Sequence, residues 1–584
     1  MVGEPGIARW GTTSLAACAL CLAAAAAAAP AAGKGAERRY KVWTESSMRL
    51  VRPVRCPASV PDQPQGRVSL AGGEYESFQV LIRPAPGQEL TRIRVTVGDL
   101  KCAARRARIP ARYLEWQQVG YVYLDRSWWT EATLFMDSPN EPGWWPDMLL
   151  PVEAFDVPSE FSQAVWVTIH APSGTPAGTY EGTVTVAPEG EAETRVAVHA
   201  TVYGFTLPPG AGHVKTAFAL NEEQMERVFA FPREGWDNLT QEAPLEERTR
   251  LEYGDFVLKY RLNPTSIYRS FTPAVSDLEH FAQRGMNAYC VLCGPTSDEQ
   301  VAQIGRFLDE LKKSPQGDAL RKMAYVYGFD EVHTEEAFQS MKHWFGIVRS
   351  KLGLPTLTTA QVPQDPRLLA DLNVTWHCPL TGLDPFPRLQ YNLRAADACR
   401  AAGEQVWAYV CCFPNYPYAN LNISRNALIE SRVLWWQVFH QKMDGLLYWG
   451  LTIWKRGPNH TLIDPRQMQT AWLHPVESPQ KAWEETWCVN SATTGESWRN
   501  LYGDGQLLYP GVDGPIASIR LANIRDGLED YEYLWLLAHR GGTEAARKAC
   551  EPVTVSLETH TRFPEAVDAQ RNAIARQIEA TPTR

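Results

Sequence analysis

At 584 residues the chain is too long for one hydrophobic core, and roughly two to four domains are expected. A net charge of −9 gives no support to nucleic acid or another polyanion as partner. Its 21 Trp and 22 Tyr suit either a protein that stacks sugar rings or a β-rich fold with aromatic cores.

Residues 1–32 read as an export signal: Arg9 is a thin basic region, Leu15–Ala29 is apolar, and small residues run through Ala32. That run is too short and too rich in alanine for a membrane span. LAAC at Leu15–Cys18 has the form of a lipoprotein box, but it precedes most of the apolar stretch instead of ending it, which weighs against a lipid anchor. No other segment approaches transmembrane length, so a soluble periplasmic or extracellular protein is expected. Of 12 cysteines, Cys18 and Cys21 leave with the signal, and an exported chain can pair or bury the other ten. Cys290 and Cys293 have CxxC spacing inside a strand-like run, where residues i and i+3 face opposite sides. No cluster has zinc spacing, and no metal or cofactor is expected.

Residues 40–207 alternate in short runs such as YESFQVLIRP (75–84), AVWVTIHAP (164–172) and RVAVHATVYGF (195–205), broken by Gly/Pro turns. They predict an antiparallel β-sandwich, with SGTPAGTYEG (173–182) as a hairpin. The Trp- and Pro-rich stretch 127–151 reads as a loop. After the linker LPPGAG (207–212), strand-like runs recur at 213–220, 263–269, 287–294, 323–331, 355–360, 374–380, 405–413 and 445–454, mostly with helical runs between them. Eight such units over 213–545 predict a closed (β/α)8 TIM-type barrel, with a doubly wound sheet as the alternative. A helical extension, 546–584, follows.

Asp330 and Glu331 end MAYVYGFDE, the fourth of these strands, and chemistry in barrels sits at strand carboxyl ends. Adjacent carboxylates repel, which favours one holding a proton while the other stays ionised. That pairing suits cleavage of a glycosidic bond. The plain alternative is an acidic cap on the helix that follows. Other strand ends offer a sugar pocket: Trp376 and His377, Tyr409, then Asn415 and Tyr416, and finally Tyr448, Trp449 and Trp454. Aromatic faces pack on a pyranose and polar tips read its hydroxyls, although barrel interiors bury aromatics as well. Arg520, Arg525, Asp526, Glu529 and Asp530 lie on a long helix. They read as structural, with Arg525 and Glu529 spaced for an i,i+4 pair that helps fasten the helix to the barrel.

Three stretches carry a family resemblance: YESFQ with PAGTYEGTV in the front module, YVYGFDE in the middle, and LLYPGVDGPIASIRLANIRDGLEDYEYL near the end. Together they resemble glycoside hydrolase family 123, exo-acting β-N-acetylgalactosaminidases, over nearly all of the chain after the signal. The resemblance implies a sandwich in front, a barrel behind and Asp330–Glu331 as the catalytic pair. It departs at Val332, where many relatives carry proline, and at Thr452, where they often carry asparagine.

Neighbouring acids on one strand end approach a sugar from one side, which is poor geometry for a two-carboxylate displacement. They suit substrate assistance, in which a 2-acetamido oxygen attacks the anomeric carbon. Glu331 is then acid and base, Asp330 steadies the acetamido N–H, and Tyr409 is the first choice to donate to the acetamido oxygen. The expected partner is a glycan with a terminal β-linked 2-acetamido sugar. The alternatives are a glycosidase for sugars without that group, with Glu331 as acid and a distant carboxylate as nucleophile, and a non-catalytic carbohydrate-binding protein.

Overall fold

The computed structural model describes residues 39–124, 143–222, 225, 247–332, 334–359, 374, 376–377, 393–414, 416–423, 426–453, 503–511 and 514–581. The expected export signal lies outside them. Among the described residues no helix is long and apolar enough to cross a membrane.

The front module is two facing sheets. One runs in the order Tyr40–Ser46, Glu74–Pro84, Gln163–Ala171, Leu114–Leu124, Gly143–Leu150, all antiparallel. The other has Gln65–Gly72, Thr194–Thr206, Gly178–Ala187, Leu90–Val97 and Phe155–Val157 in its main path. Val80, Ile82, Val165 and Val167 from the first meet Val184, Val186, Val196 and Val198 from the second. The outer face of the first sheet is covered as well: Leu81, Val119, Leu149 and Trp166 share a core with Leu508, Ile519 and Leu521 of the C-terminal half. That double burial explains why Glu74–Pro84 and Gln163–Ala171 are buried almost throughout instead of on alternate residues.

Two local expectations change. The turn after Ala171 carries the chain from one sheet to the other, so 173–182 is a crossover and not a hairpin within a sheet. Gly143–Leu150, inside the stretch read as a loop, is an edge strand paired with Leu114–Leu124. Trp145, Met148 and Leu149 are buried there, and the last two lie against the C-terminal half through the Met148–Ser518 bridge and the shared core.

The central sheet corrects the closed (β/α)8 barrel. Among the described residues it has seven parallel strands in the order Lys215–Phe218, Gly445–Tyr448, Gln405–Val410, Trp376–His377, Thr356–Thr358, Ala324–Tyr327, Tyr289–Cys293, and it is open between the first and last. The missing strand is the expected 263–269, which makes only an isolated bridge, Ala219–Thr265. Side chains there take hydrogen bonds that a ladder would use. Asn263 Nδ2 donates to Thr216 O at 3.1 Å, Asn287 N–H to Asn263 Oδ1 at 2.9 Å, and Cys290 N–H to Thr265 Oγ1 at 2.9 Å. Pro264, without an N–H, cannot donate to a ladder either.

The long helix Ile519–Gly541 packs on Glu430–His440. Gly527 permits this: a Cβ there would stand 2.3 Å from Trp435 Cδ1 and 2.7 Å from Arg432 O. Helices Thr543–Cys550 and Pro564–Ala580 follow and bury Cys550, Val567, Ile574 and Ile578 against Tyr203, Phe205 and Tyr533.

Candidate active site

Strand alternation turns Ala217, Cys290, Tyr325, Tyr327, Leu357, Trp407, Tyr409 and Leu447 toward the concave side of the central sheet. At its carboxyl edge the Ala324–Tyr327 strand stops short of the acidic pair. Asp330 and Glu331 stand three and four residues beyond it, in an exposed turn, not within the strand. The turn is sharp: Phe329 (φ 57°) and Glu331 (φ 47°) both adopt the left-handed conformation, uncommon outside glycine. Gly328 enters it close to the segment that follows the Tyr289–Cys293 strand, where a Cβ would meet Gly294 O at 3.0 Å. Phe329 anchors it from below, edge-on to Phe345 with ring centroids 5.1 Å apart.

The acidic pair does not cap the following helix. Thr334 does, its Oγ1 accepting from Ala337 N–H at 3.3 Å at the start of Glu335–Ile347. The two carboxylates are held by different partners instead. Thr359 Oγ1 donates to Asp330 Oδ1 at 2.6 Å, Tyr327 donates to the same oxygen, and Tyr268 OH lies 3.4 Å from Oδ2. Tyr409 OH donates to Glu331 Oε1 at 2.7 Å. Thr359 also accepts from Glu331 N–H at 3.2 Å, and Thr358 Oγ1 donates to Phe329 O at 2.8 Å. Burial first, and the nearby acidic groups after it, push the Tyr268, Tyr327 and Tyr409 hydroxyls up, so all three remain proton donors. Thr359, Tyr268 and Tyr327 were not singled out in the sequence. Thr359 directly follows the Thr356–Thr358 strand, the neighbour of the strand before the acidic turn in a parallel sheet, and that adjacency is the signal that could have found it.

The other expected pocket residues divide. Trp449 lies against the concave cluster, half-buried, and donates its indole N–H to Asp504 Oδ2 at 2.8 Å. Tyr448 does not face the pocket. One step along the strand it turns to the helix layer, fully buried 5.5 Å from Phe218, and its oxygen accepts from Gly505 N–H at 2.7 Å. Tyr416 lies under the Arg562 guanidinium at 4.9 Å, next to the C-terminal helices. Trp376 and His377 form the strand between Thr356–Thr358 and Gln405–Val410, and only their backbone is described. Asn415 and Trp454 lie outside the described residues.

Thr452 is buried and accepts from Asn221 N–H at 3.0 Å, a contact internal to the fold. A register shift between Cys290 and Cys293 lets both pack against the concave cluster, so simple alternation does not separate them. Among the described residues no group of three or more His, Cys, Asp or Glu has metal-site geometry.

The charged residues of the long helix are structural, and they fasten it to the front module as well as to the C-terminal half. Arg520 grips Asp147 with two bonds of 2.8 Å, and Glu529 pairs with Arg261 at 3.0 Å and accepts from Tyr75 N–H at 3.2 Å. Arg525 donates to Asp526 at 2.9 Å, not to the Glu529 expected at i+4, and stacks over Tyr75 at 4.6 Å. Asp530 receives Arg432 at 2.7 Å and Arg571 at 2.8 Å, while Arg432 also reaches Glu76 at 2.9 Å.

Two domain models of one family match the chain: the glycoside hydrolase 123 catalytic domain over residues 274–537 and the glycoside hydrolase 123 N-terminal domain over 73–188. Among solved structures, a family 123 glycoside hydrolase from Clostridium perfringens aligns at a TM-score of 0.62 with 11% identity, covering 93% of this chain and 98% of that one. A GH5 xyloglucanase from Bacteroides ovatus aligns at a TM-score of only 0.20 with 11% identity, over 79% of this chain and 98% of that one, and carries no weight. A comparison with curated proteins finds no match. The two matched domains, in the same order as sandwich and open sheet, settle the assignment: the chain belongs to glycoside hydrolase family 123, whose members are retaining exo-hexosaminidases that act on terminal acetamido sugars by substrate-assisted catalysis.

Proposed function

We propose that Asp330 and Glu331 hydrolyse a terminal β-linked 2-acetamido sugar, with 2-acetamido-galactosides preferred over the gluco form. The observation that carries this reading is that two neighbouring carboxylates at the carboxyl edge of the sheet are held by different hydroxyl donors. Asp330 is fixed at Oδ1 by Thr359 and Tyr327, whereas among the described residues its Oδ2 lies 3.4 Å from the Tyr268 hydroxyl. Oδ2 is therefore the oxygen that accepts the acetamido N–H and stabilises the positive charge developing as the acetamido oxygen attacks the anomeric carbon. Glu331, whose Oε1 accepts from Tyr409, protonates the leaving oxygen and then takes a proton from the incoming water. Two displacements at one carbon give retention.

Tyr409 holds the acid, and Trp449 lies at the concave side. Asp504 is not a candidate for a distant nucleophile: it is 1% exposed and committed to the Trp449 indole. The galacto preference rests on family membership. The related Clostridium perfringens enzyme was described in the context of glycolipid glycan hydrolysis, which supports a glycan substrate here. The apolar run 15–29 supports export to the periplasm or beyond.

Nitrophenyl glycosides with and without the 2-acetamido group, in galacto and gluco forms, test the reading. Turnover of the acetamido substrates, with the β-anomer as first product by NMR, is expected. Turnover confined to plain glycosides overturns substrate assistance.

A further inference from the structure

Strand alternation in Gln405–Val410 points Trp407 and Tyr409 into the concave interior, and Cys411 continues that row at the mouth. Its neighbour Cys412 also packs against the cluster but is partly exposed, whereas Cys411 is 7% exposed. The two Sγ atoms are 3.9 Å apart. Their backbone is tightly held: buried Asn420 donates through Nδ2 to Cys411 O and Pro414 O, both at 2.9 Å, and Cys411 N–H donates to Phe413 O at 2.7 Å. The hydrolytic chemistry uses neither thiol. Yet Cys411 acts on the Tyr409 hydroxyl, which burial, then Cys411, then Glu331 push up. Two sulfurs two and three residues beyond the tyrosine that holds the general acid form an adjacent pair next to the catalytic centre.

We propose that Cys411 and Cys412 form a site of reversible thiol–disulfide exchange that controls hydrolysis through Tyr409. The oxidant is a small-molecule disulfide of the glutathione type. The Cys412 thiolate, at the more exposed sulfur, attacks it; the S–S bond breaks, and the departing thiolate takes up the proton Cys412 released. Cys411 then loses its proton and displaces the second thiolate, closing the Cys411–Cys412 bond. The protein gives up two electrons and two protons, and the disulfide becomes two thiols. Neighbouring Cα atoms are ~3.8 Å apart, closer than most disulfides span, so closure has to shift the local backbone. The shift reaches Tyr409, whose hydroxyl is 2.7 Å from Glu331 Oε1. A bond spanning so short a loop barely restrains the unfolded chain, so its consequence is control and not stability.

Oxidation of the whole protein with glutathione disulfide, followed by peptide mapping and kinetics, tests this. The expected result is a Cys411–Cys412 bond without retained glutathione, a fall in kcat of about tenfold, and full recovery on reduction with dithiothreitol. Cys411→Ser is expected to retain glutathione on Cys412, and Cys412→Ser to lose the response. Glutathione left on the wild-type pair, a bond from either residue to another cysteine, or closure without a change in kcat overturns the proposal. The kinetic result rests on the proposed hydrolysis, whereas the mapped bond does not, so failure of one is distinguishable from failure of the other.

Discussion

The hydroxyl of Thr359 touches both halves of the acidic pair, the Asp330 carboxylate and the Glu331 backbone amide, and it is 4% exposed. Thr359→Val keeps the shape and removes the bonds, so kcat is expected to fall on the order of tenfold while KM changes little. Glu331→Gln removes the proposed proton donor and is expected to cost about 10²–10⁴ in kcat, and Asp330→Asn about 10²–10³, with modest effects on KM. Steady-state kinetics on a nitrophenyl 2-acetamido galactoside checks all three; a loss confined to KM contradicts the assigned roles. Asp504 carries a pH signature. Burial raises its carboxyl from 3.8 to about 6, so the folded chain binds this proton more tightly than the unfolded one. Its contribution to stability is whole below about pH 3.8 and is lost as pH rises through 6. Asp504→Asn keeps an acceptor for the Trp449 indole and is expected to remove that loss, raising the urea midpoint at pH 7 by the equivalent of at most about 3 kcal/mol. Asp330 and Glu331 were legible in the sequence because two acids after an apolar strand are conspicuous. Thr359 was not, because a threonine at a strand end has many ordinary uses.

Helix-to-helix packing turns on one residue. At Gly527 a methyl group would meet the Trp435 ring and the Arg432 carbonyl, backbone that cannot swing aside. Gly527→Ala is expected to lower stability by about 1–3 kcal/mol, seen in the melting temperature, while kcat per folded molecule stays near the parent value. Seven strands of the central sheet were legible as apolar runs. The expected strand at 263–269 looked as convincing, and pattern alone could not reveal that Asn263 and Thr265 spend side-chain groups where a ladder needs backbone ones. Tyr448 and Trp449 illustrate the same limit: both lie at one strand end, and a single step of alternation separates core from pocket.

Across the molecule, two of the stretches that carry the family likeness, YESFQ and the long helix, meet each other. Tyr75, Glu76 and Ser77 of YESFQ face Arg525, Glu529 and Asp530 of the long helix, directly or through Arg432. The sequence marked these charges as structural, but distance along the chain hid their partners. Arg432→Met leaves Glu76 and Asp530 less compensated in a buried site, and a loss of about 3–5 kcal/mol is expected from chemical denaturation. Because the first sheet shares a core with Ile519 and Leu521, sandwich and open sheet are expected to melt in one calorimetric transition in the parent protein.

That union also governs how the protein is made. Tyr75 finds its Glu529 partner 454 residues later, a wait on the order of a minute at ribosomal speed. Until then the earliest strands emerge with bare acids and an uncovered apolar flank. Secretion while still unfolded, or a chaperone occupying that flank, would suit such a nascent chain, and a premature stop codon before the final helices would forfeit the beginning of the protein along with its end.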